Sequence, residues 1–248
     1  ITTQLGLAAG KTASGAQRLM VAFGTGRKIP ATNTTATSYA SGTQTLYGVW
    51  DWNMAAWNAL SSATYNSLSA GGTSLASPYT IAKTNLQGQT VTVNATTQAR
   101  EIAVNATVCW QGASECGGGN NKFGWYVDLP GSSEQIVFNP QLISSAFVVN
   151  STVPAANDPA SCTVATDKGF TYAVNLLSGG AFNNFFPTML DPIAIGIKLD
   201  ATGSSFPVTT ASGLTSLVYQ TVLNNHGVTR INPPVNSKAN RLTWVELR

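Results

Sequence analysis

The stretches MVAFGTGRKI (20–29) and TQTLYGVWDW (43–52) decide how the fold is read. The first is an apolar run that ends in Gly24, Thr25, Gly26 and Arg27. A dinucleotide-binding fingerprint would need a third glycine at position 29 and a helix directly after it. That position is isoleucine and a proline follows, so the loop is not predicted to hold phosphate. We expect the glycines to permit a tight backbone turn at the end of a strand.

Composition places the chain among β-rich proteins of oxidising compartments. Of its 248 residues 43% are hydrophobic and only 9% are charged. A surface made soluble by hydroxyl and amide groups is typical of secreted or cell-surface proteins. The net charge of +3 is small and its basic residues are scattered, so no nucleic-acid partner is predicted. No apolar run approaches the roughly 20 residues of a membrane span. The opening ITTQLGL favours a start inside a longer protein over a removed signal peptide.

Short runs of β-branched and aromatic residues, bounded by Gly, Pro, Asn or Ser, predict an all-β fold in one domain, 1–248. A sandwich, a barrel and a propeller all fit this pattern. The polar stretch 203–213 is expected to be a loop between strands. The runs are 18–23, 45–50, 89–94, 101–108, 124–128, 135–138, 146–152, 170–175, 193–199, 217–222 and 242–247.

One helix is predicted within DWNMAAWNALSSATY (51–65), with Asp51 or Asn53 as its N-cap. Its apolar side chains recur near helical spacing and are expected to pack in the core. They are Met54, Trp57, Leu60 and Tyr65. The following Ser-, Ala-, Gly- and Thr-rich stretch has little periodicity, so about 54–84 is predicted to be an insertion on one face of the fold.

Residues that could carry chemistry are few. The single histidine, His226 in NNHGVTR, has the surroundings of a turn, and no nucleophile motif accompanies it. The carboxylates are too dispersed for a calcium loop, and one histidine with separated cysteines excludes an ordinary zinc site. Cys109 and Cys116 enclose WQGASE and could form a local disulfide, which leaves Cys162 over. No catalytic residue and no metal ligand is predicted.

Several segments, taken in order, resemble the PilY1/PilC family of type IV pilus biogenesis proteins. FGTGRKI and TQTLYGVWDW are similar to the family's GTGR turn and its following Q-x-L-Y-G-x-W-D strand. FGWYVDLPGSSEQIVFNPQL, the DPASC segment, GFTYAVNLLSGG and the terminal RLTWVELR resemble further family motifs. The residues that carry the opening motif are Gly24, Thr25, Gly26, Arg27, Tyr47, Gly48, Trp50 and Asp51.

The resemblance implies a modified β-propeller, present here as a partial ring with a short helix-bearing insertion. Gly24, Gly26 and Trp50 would form the turn and the packing between blades, and Arg27 would make a buried or inter-blade hydrogen bond. At roughly 40 to 50 residues a blade, the chain supplies about five blades at most. Remaining segments of the same propeller are therefore expected to complete the ring. The family's acidic calcium loop has no counterpart here, so no cofactor is expected in these residues.

The function that the resemblance implies is non-enzymatic. It is pilus biogenesis and adhesion at the pilus tip, with extension promoted and retraction opposed, in support of twitching motility and surface attachment. The implied partners are major or minor pilins and surface receptors, and the implied location is the cell surface, pilus tip and outer membrane of a bacterium. Two alternatives stay open. One is a propeller quinoprotein dehydrogenase, for which the acids are too few. The other is a carbohydrate-binding β-domain, favoured weakly by six Trp and seven Tyr.

Overall fold

The computed structural model of the chain describes residues 1–29, 38–62, 65, 67, 80–155, 165–187, 193–211, 213–221, 226–234 and 240–241. Its regular structure is almost entirely β, which confirms the predicted all-β class. The strands are β1 (Gly6–Lys11), β2 (Gln17–Gly24), β3 (Lys28–Ile29), β4 (Ser38–Tyr39), β5 (Thr45–Trp50), β6 (Gln87–Gln89), β7 (Thr92–Val93), β8 (Arg100–Glu101), β9 (Gly124–Asp128), β10 (Gln135–Ile136), β11 (Gln141–Ile143), β12 (Ala146–Thr152), β13 (Gly169–Asn175), β14 (Ala194–Leu199), β15 (Gly203–Thr209), β16 (Thr215–Thr221), β17 (His226–Ile231) and β18 (Asn240–Arg241). The α-helix is α1 (Ala55–Leu60).

These strands form two large sheets and two small ones. The first sheet has six strands in the order β18-β1-β2-β5-β9-β6, antiparallel except for the β6–β9 pair. The second has seven, in the order β10-β12-β13-β14-β8-β7, with β11 also paired to β12. Strands β15, β16 and β17 form a third sheet, and β3 pairs with β4. The first sheet thus contains both opening motifs, and they are adjacent strands.

The central strand β12 explains how the sheets stack. All seven of its residues are buried, because both faces of the second sheet are covered. Phe147 and Val149 point into a core shared with Trp50 and Trp125 of the first sheet. The alternate residue Val148 belongs to a second core, which Leu217 and Ile231 of the third sheet close from the other side. The apolar run 146–149 at the start of β12 therefore reflects burial between two layers.

Most predicted strands are confirmed at the places expected, and the errors have physical causes. The run 101–108 was predicted as one strand, but only Arg100–Glu101 pairs in a ladder. The stretch 203–213 was predicted as a loop, yet Gly203–Thr209 pairs along its length with β16. The Ser and Thr residues, which suggested a loop, are found in a strand because much of this hairpin faces solvent. The run 242–247 lies outside the described residues.

The predicted helix is present but shorter. Of the four side chains expected in the core, Met54 and Tyr65 are buried, and Trp57 and Leu60 are not. The helix covers Ala55–Leu60, and no residue within it is buried. Trp57 is 42% exposed and Leu60 91% exposed. Met54 occupies the N-cap position without a side-chain cap, so neither expected cap forms. Most of 63–79 lies outside the described residues, so the extent of the insertion remains a prediction.

Candidate functional site

The GTGR segment lies where the first sheet meets the second. The carbonyl of Thr25 accepts a hydrogen bond from the amide of Ile136 at 2.9 Å. The amide of Arg27 donates to Oε1 of Gln135 at 2.9 Å, and the amide of Ala40 donates to the same atom at 3.1 Å. Since Gln135 and Ile136 form β10 of the second sheet, we call this contact the inter-sheet junction. The GTGR segment therefore connects the first sheet to the second.

The two glycines are required by the closeness of β10. A Cβ on Gly24 would lie 2.4 Å from Cγ1 of Ile136, and one on Gly26 would lie 2.3 Å from the carbonyl oxygen of Ile136. A side chain at position 24 would collide with the branched side chain of Ile136, and one at position 26 would collide with its backbone. The sequence predicted glycine for a tight turn, but the structural reason at both positions is the room that a second sheet needs.

The side chain of Arg27 does not fit the expected buried bond. It is exposed, and its Nη2 lies 3.4 Å from Oγ of Ser38 and 3.5 Å from the carbonyl of Tyr39. Only its backbone amide reaches the second sheet. The side chain of Arg27 therefore contacts β4 of the β3–β4 hairpin on its solvent-facing side.

The second motif, in β5, makes room for an indole. A Cβ on Gly48 would lie 2.3 Å from the ring of Trp125, which is fully buried and donates from Nε1 to the carbonyl of Leu176 at 2.7 Å. Tyr47 packs against Phe23 with ring centroids 5.3 Å apart. The amide of Asp51 continues the sheet by donating to Leu19, and its side chain is exposed. These residues are placed as packing elements.

A buried arginine that the sequence analysis did not single out lies behind Trp50. Arg18 is 1% exposed, and its guanidinium carbon lies 3.7 Å from the ring centroid of Trp50 and 4.9 Å from that of Trp110. Burial lowers its pKa to about 10, while Glu115 acts in the opposite direction. The side chain is thus still cationic at neutral pH and is stabilised by the two aromatic faces.

A disulfide closes the loop that covers this arginine. Cys109 and Cys116 are bonded, with Cα atoms 5.4 Å apart. The enclosed residues include Trp110 and Gln111, whose carbonyl accepts from Nη2 of Arg18 at 3.4 Å. We call residues 109–116 the disulfide loop. Cys162 lies outside the described residues.

A second buried polar cluster ties the strands of the seven-stranded sheet together. The carboxylate of Glu134 accepts from Oγ of Ser151 at 2.6 Å, from Oη of Tyr172 at 2.9 Å and from Nη2 of Arg100 at 3.3 Å. Burial, followed by the charge of Glu134, raises the pKa of Tyr172 well above its usual value. The four side chains are enclosed in the core, and their role is to connect strands.

A cleft of about 670 Å³ opens beside the disulfide loop. The β1–β2 turn (11–14) lines one part of it, together with Trp110 and Glu115 of the disulfide loop. Residues 105–108 and the turn 175–178 line the remainder. A concave site of this size accommodates a small molecule or a few residues of a peptide.

His226 begins strand β17, so the expected turn at this residue is wrong. Within the described residues there is no group of three His, Cys, Asp or Glu that could hold a metal ion. In the same part of the chain, no helix has the length and apolar character needed to cross a membrane.

Neither the protein-family models nor the curated protein sequences give a match to this chain. The solved structure of the PilY1 C-terminal domain of Pseudomonas aeruginosa is similar to it, with a TM-score of 0.55 and 18% sequence identity. The similarity covers 94% of this chain and 45% of that structure, so the chain spans about half the length of its structural neighbour. That domain is a β-propeller, and the fold of this chain is of the same PilY1-like, modified propeller type.

Proposed function

We propose that this chain is part of a non-enzymatic type IV pilus biogenesis factor and tip-associated adhesin. It promotes pilus extension, opposes retraction, and so supports twitching motility and surface attachment. Its partners are major or minor pilins and surface receptors, and it acts at the pilus tip and outer membrane. The observation that carries the proposal is the fold similarity to the PilY1 C-terminal domain over 94% of the chain.

The glycines of the two opening motifs support an architectural role for these motifs in this chain. Gly24, Gly26 and Gly48 all face groups of neighbouring strands within 2.4 Å of where a Cβ would stand. Such positions shape a scaffold, whereas binding in scaffolded folds is carried by exposed loops. We propose that loops on one face, including the insertion at about 54–84, contact the partners.

Deleting the gene in its own bacterium tests the proposal. We expect loss of surface pili, of twitching and of attachment, all restored when the wild-type gene is supplied in trans. A restored strain lacking 54–84 is expected to make pili but to attach poorly. Normal piliation and motility in the deletion strain would overturn the function, whereas normal attachment by the 54–84 variant would overturn only the contact region.

The carbohydrate-binding alternative loses part of its support. It rested on the supply of aromatic side chains for stacking on sugar rings. Trp50, Trp110 and Trp125 are each 4% exposed or less, so they are packing residues. Their burial leaves no platform among these three indoles. Trp57 of α1 is 42% exposed but stands alone on that helix as an aromatic side chain, and we do not propose this function.

A further inference from the structure

The disulfide loop is attached to the body of the protein mainly through its first half, 109–111. The amide of Gln111 donates to the carbonyl of Lys122 at 2.8 Å, and the amide of Lys122 donates to the carbonyl of Cys109 at 2.9 Å. The ring of Trp110 lies in the main core, where it meets the ring of Trp50 edge to face. These contacts hold the first half in place without help from the disulfide bond.

The second half, 112–116, is attached through weaker contacts and one covalent bond. Oγ of Ser14, in the β1–β2 turn, donates to Oε1 of Glu115 at 2.6 Å, and Thr12 also bonds to this carboxylate. Ala113 packs against the main core with its methyl group. The bond from Cys116 to the first half is covalent, so it is the strongest link that holds the second half down.

The chain that follows the loop is suited to act as a hinge. Along Gly117–Gly119 a Cβ would meet nothing within 4 Å, so this stretch borders open space. Glycine also has more backbone freedom than any other residue. The amides of Ala113 and Gly117 donate to the carbonyls of Trp110 and Ser114, so these hydrogen bonds are internal to this part of the chain. Movement of the second half therefore disturbs few contacts with the sheets.

Holding the loop closed over Arg18 has a free-energy cost. In the described part of the chain, Nε and Nη1 of Arg18 and Oε2 of Glu115 are buried without a hydrogen-bond partner. Burial is the largest influence on the pKa of Arg18 and lowers it to about 10. Stacking on Trp50 offsets part of this cost. Buried charged groups with unmade hydrogen bonds favour a state in which water reaches them.

The disulfide bond lies where a reagent from solvent can reach it. Cys109 and Cys116 are each partly exposed, and Gly112, Ser114 and Gly117 beside them are exposed. Reduction requires a thiolate to approach one of the two sulfur atoms. The position of the bond at the surface permits that approach.

We propose that the Cys109–Cys116 bond is a redox-sensitive switch that holds the disulfide loop closed over Arg18. A dithiol attacks one sulfur and forms a mixed disulfide, which its second thiol then breaks. The dithiol leaves as a disulfide, having supplied two electrons and two protons, and both cysteines become thiols. The second half then moves on its glycine hinge, water reaches the guanidinium, and the cleft loses the wall that Glu115 supplies, while the sheets stay folded. This inference does not rest on the pilus function proposed above.

Modification of arginine side chains by phenylglyoxal tests the switch on the intact protein, because the reagent reacts with exposed guanidinium groups. The protein is labelled as purified, or after dithiothreitol and anaerobic desalting, and its peptides are analysed by mass spectrometry. We expect modification of Arg18 to become at least about tenfold faster after reduction. Arg27, which is exposed, should react equally in both states, and Arg100, which is 6% exposed, should stay protected in both.

Two variants assign the effect to this bond. The Cys109→Ser/Cys116→Ser double variant should react at Arg18 without any reductant, and Cys162→Ser should respond to dithiothreitol as wild type does. Reoxidation of the wild type should restore the protection of Arg18.

Four results would overturn the switch. Resistance of the bond to dithiothreitol would show that it is not redox-sensitive. Continued protection of Arg18 in the reduced protein and in the double variant would show that other contacts keep the loop closed. Modification of Arg100 together with Arg18 would mean that reduction unfolds the core and that the bond is only a structural one. Loss of the response in Cys162→Ser would assign it to that cysteine.

Discussion

At the scale of single residues, glycine positions in this chain are set by what lies across the sheet. A Cβ on Gly48 would lie 2.3 Å from the ring of Trp125, whereas a Cβ on Gly118 would meet nothing within 4 Å, and Gly118 has no left-handed backbone. We expect Gly48→Ala to destabilise the protein by about 1–3 kcal/mol, since an added methyl group must displace a buried indole. Gly118→Ala is the matched control and should change stability by less than about 0.5 kcal/mol. Urea unfolding measures both, and equal effects would contradict the packing argument.

Glu134 gives a second residue-level prediction. Its side chain is fully buried and binds Arg100, whose side chain is 8% exposed. Glu134→Gln leaves that arginine buried without a counter-charge, so we expect a loss of about 3–5 kcal/mol in the free energy of unfolding. Asp200→Asn, at an exposed position, is the control and should be nearly neutral. If Glu134→Gln lost no more stability than the control, the charge of Arg100 would have to be compensated by other groups.

At the scale of elements, hydrogen bonds to Asp167 attach the β3–β4 hairpin to the segment before β13. Asp167 accepts from Nζ of Lys28 at 3.0 Å, from Oη of Tyr39 at 2.8 Å and from the amide of Ala155 at 3.0 Å. Burial alone would raise the pKa of Asp167, but these bonds outweigh it and hold the pKa below its ordinary value of 3.8. A carboxylate with a depressed pKa stabilises the fold above its ordinary pKa.

The pH dependence follows from that sign. The stabilisation by Asp167 should be complete near neutral pH and should be lost as pH falls below 3.8 through the depressed pKa. We therefore expect Asp167→Asn to be less stable than wild type at neutral pH, with the difference narrowing in acid. Denaturant titrations of both proteins across this range measure it. A difference in stability that stays constant with pH would mean that the attachment of the hairpin does not depend on the negative charge of Asp167.

The same scale shows what sequence can predict. Strands such as β5 and β12 were predictable because β-branched and aromatic runs are local signals. Gly24 was recognisable as special, but its reason was not, because Ile136 approaches it from 112 positions along the chain. The cleft was not predictable either. Its walls come from β1, the disulfide loop and the end of β13, and only tertiary packing brings Lys11, Glu115 and Ser178 together.

At the scale of the whole molecule, the shared core predicts how the sheets unfold. The main core contains residues of both large sheets, and β12 contributes to the second core as well. The inter-sheet junction adds hydrogen bonds at one edge of this contact. Sheets that bury each other's faces lose that burial together, so their unfolding should be one transition.

Gly26→Ala tests this coupling, because a Cβ at that position would meet the backbone of Ile136 in the other sheet. We expect the variant to lower the denaturation midpoint while tryptophan fluorescence and far-ultraviolet circular dichroism still change together. Of the described indoles, Trp50 and Trp125 lie in the first sheet and none lies in the second, whereas circular dichroism reports all strands. If the two signals separated in the variant, the junction would be the principal link between the sheets. If they separated already in wild type, the sheets would be independent and the shared core would not couple them.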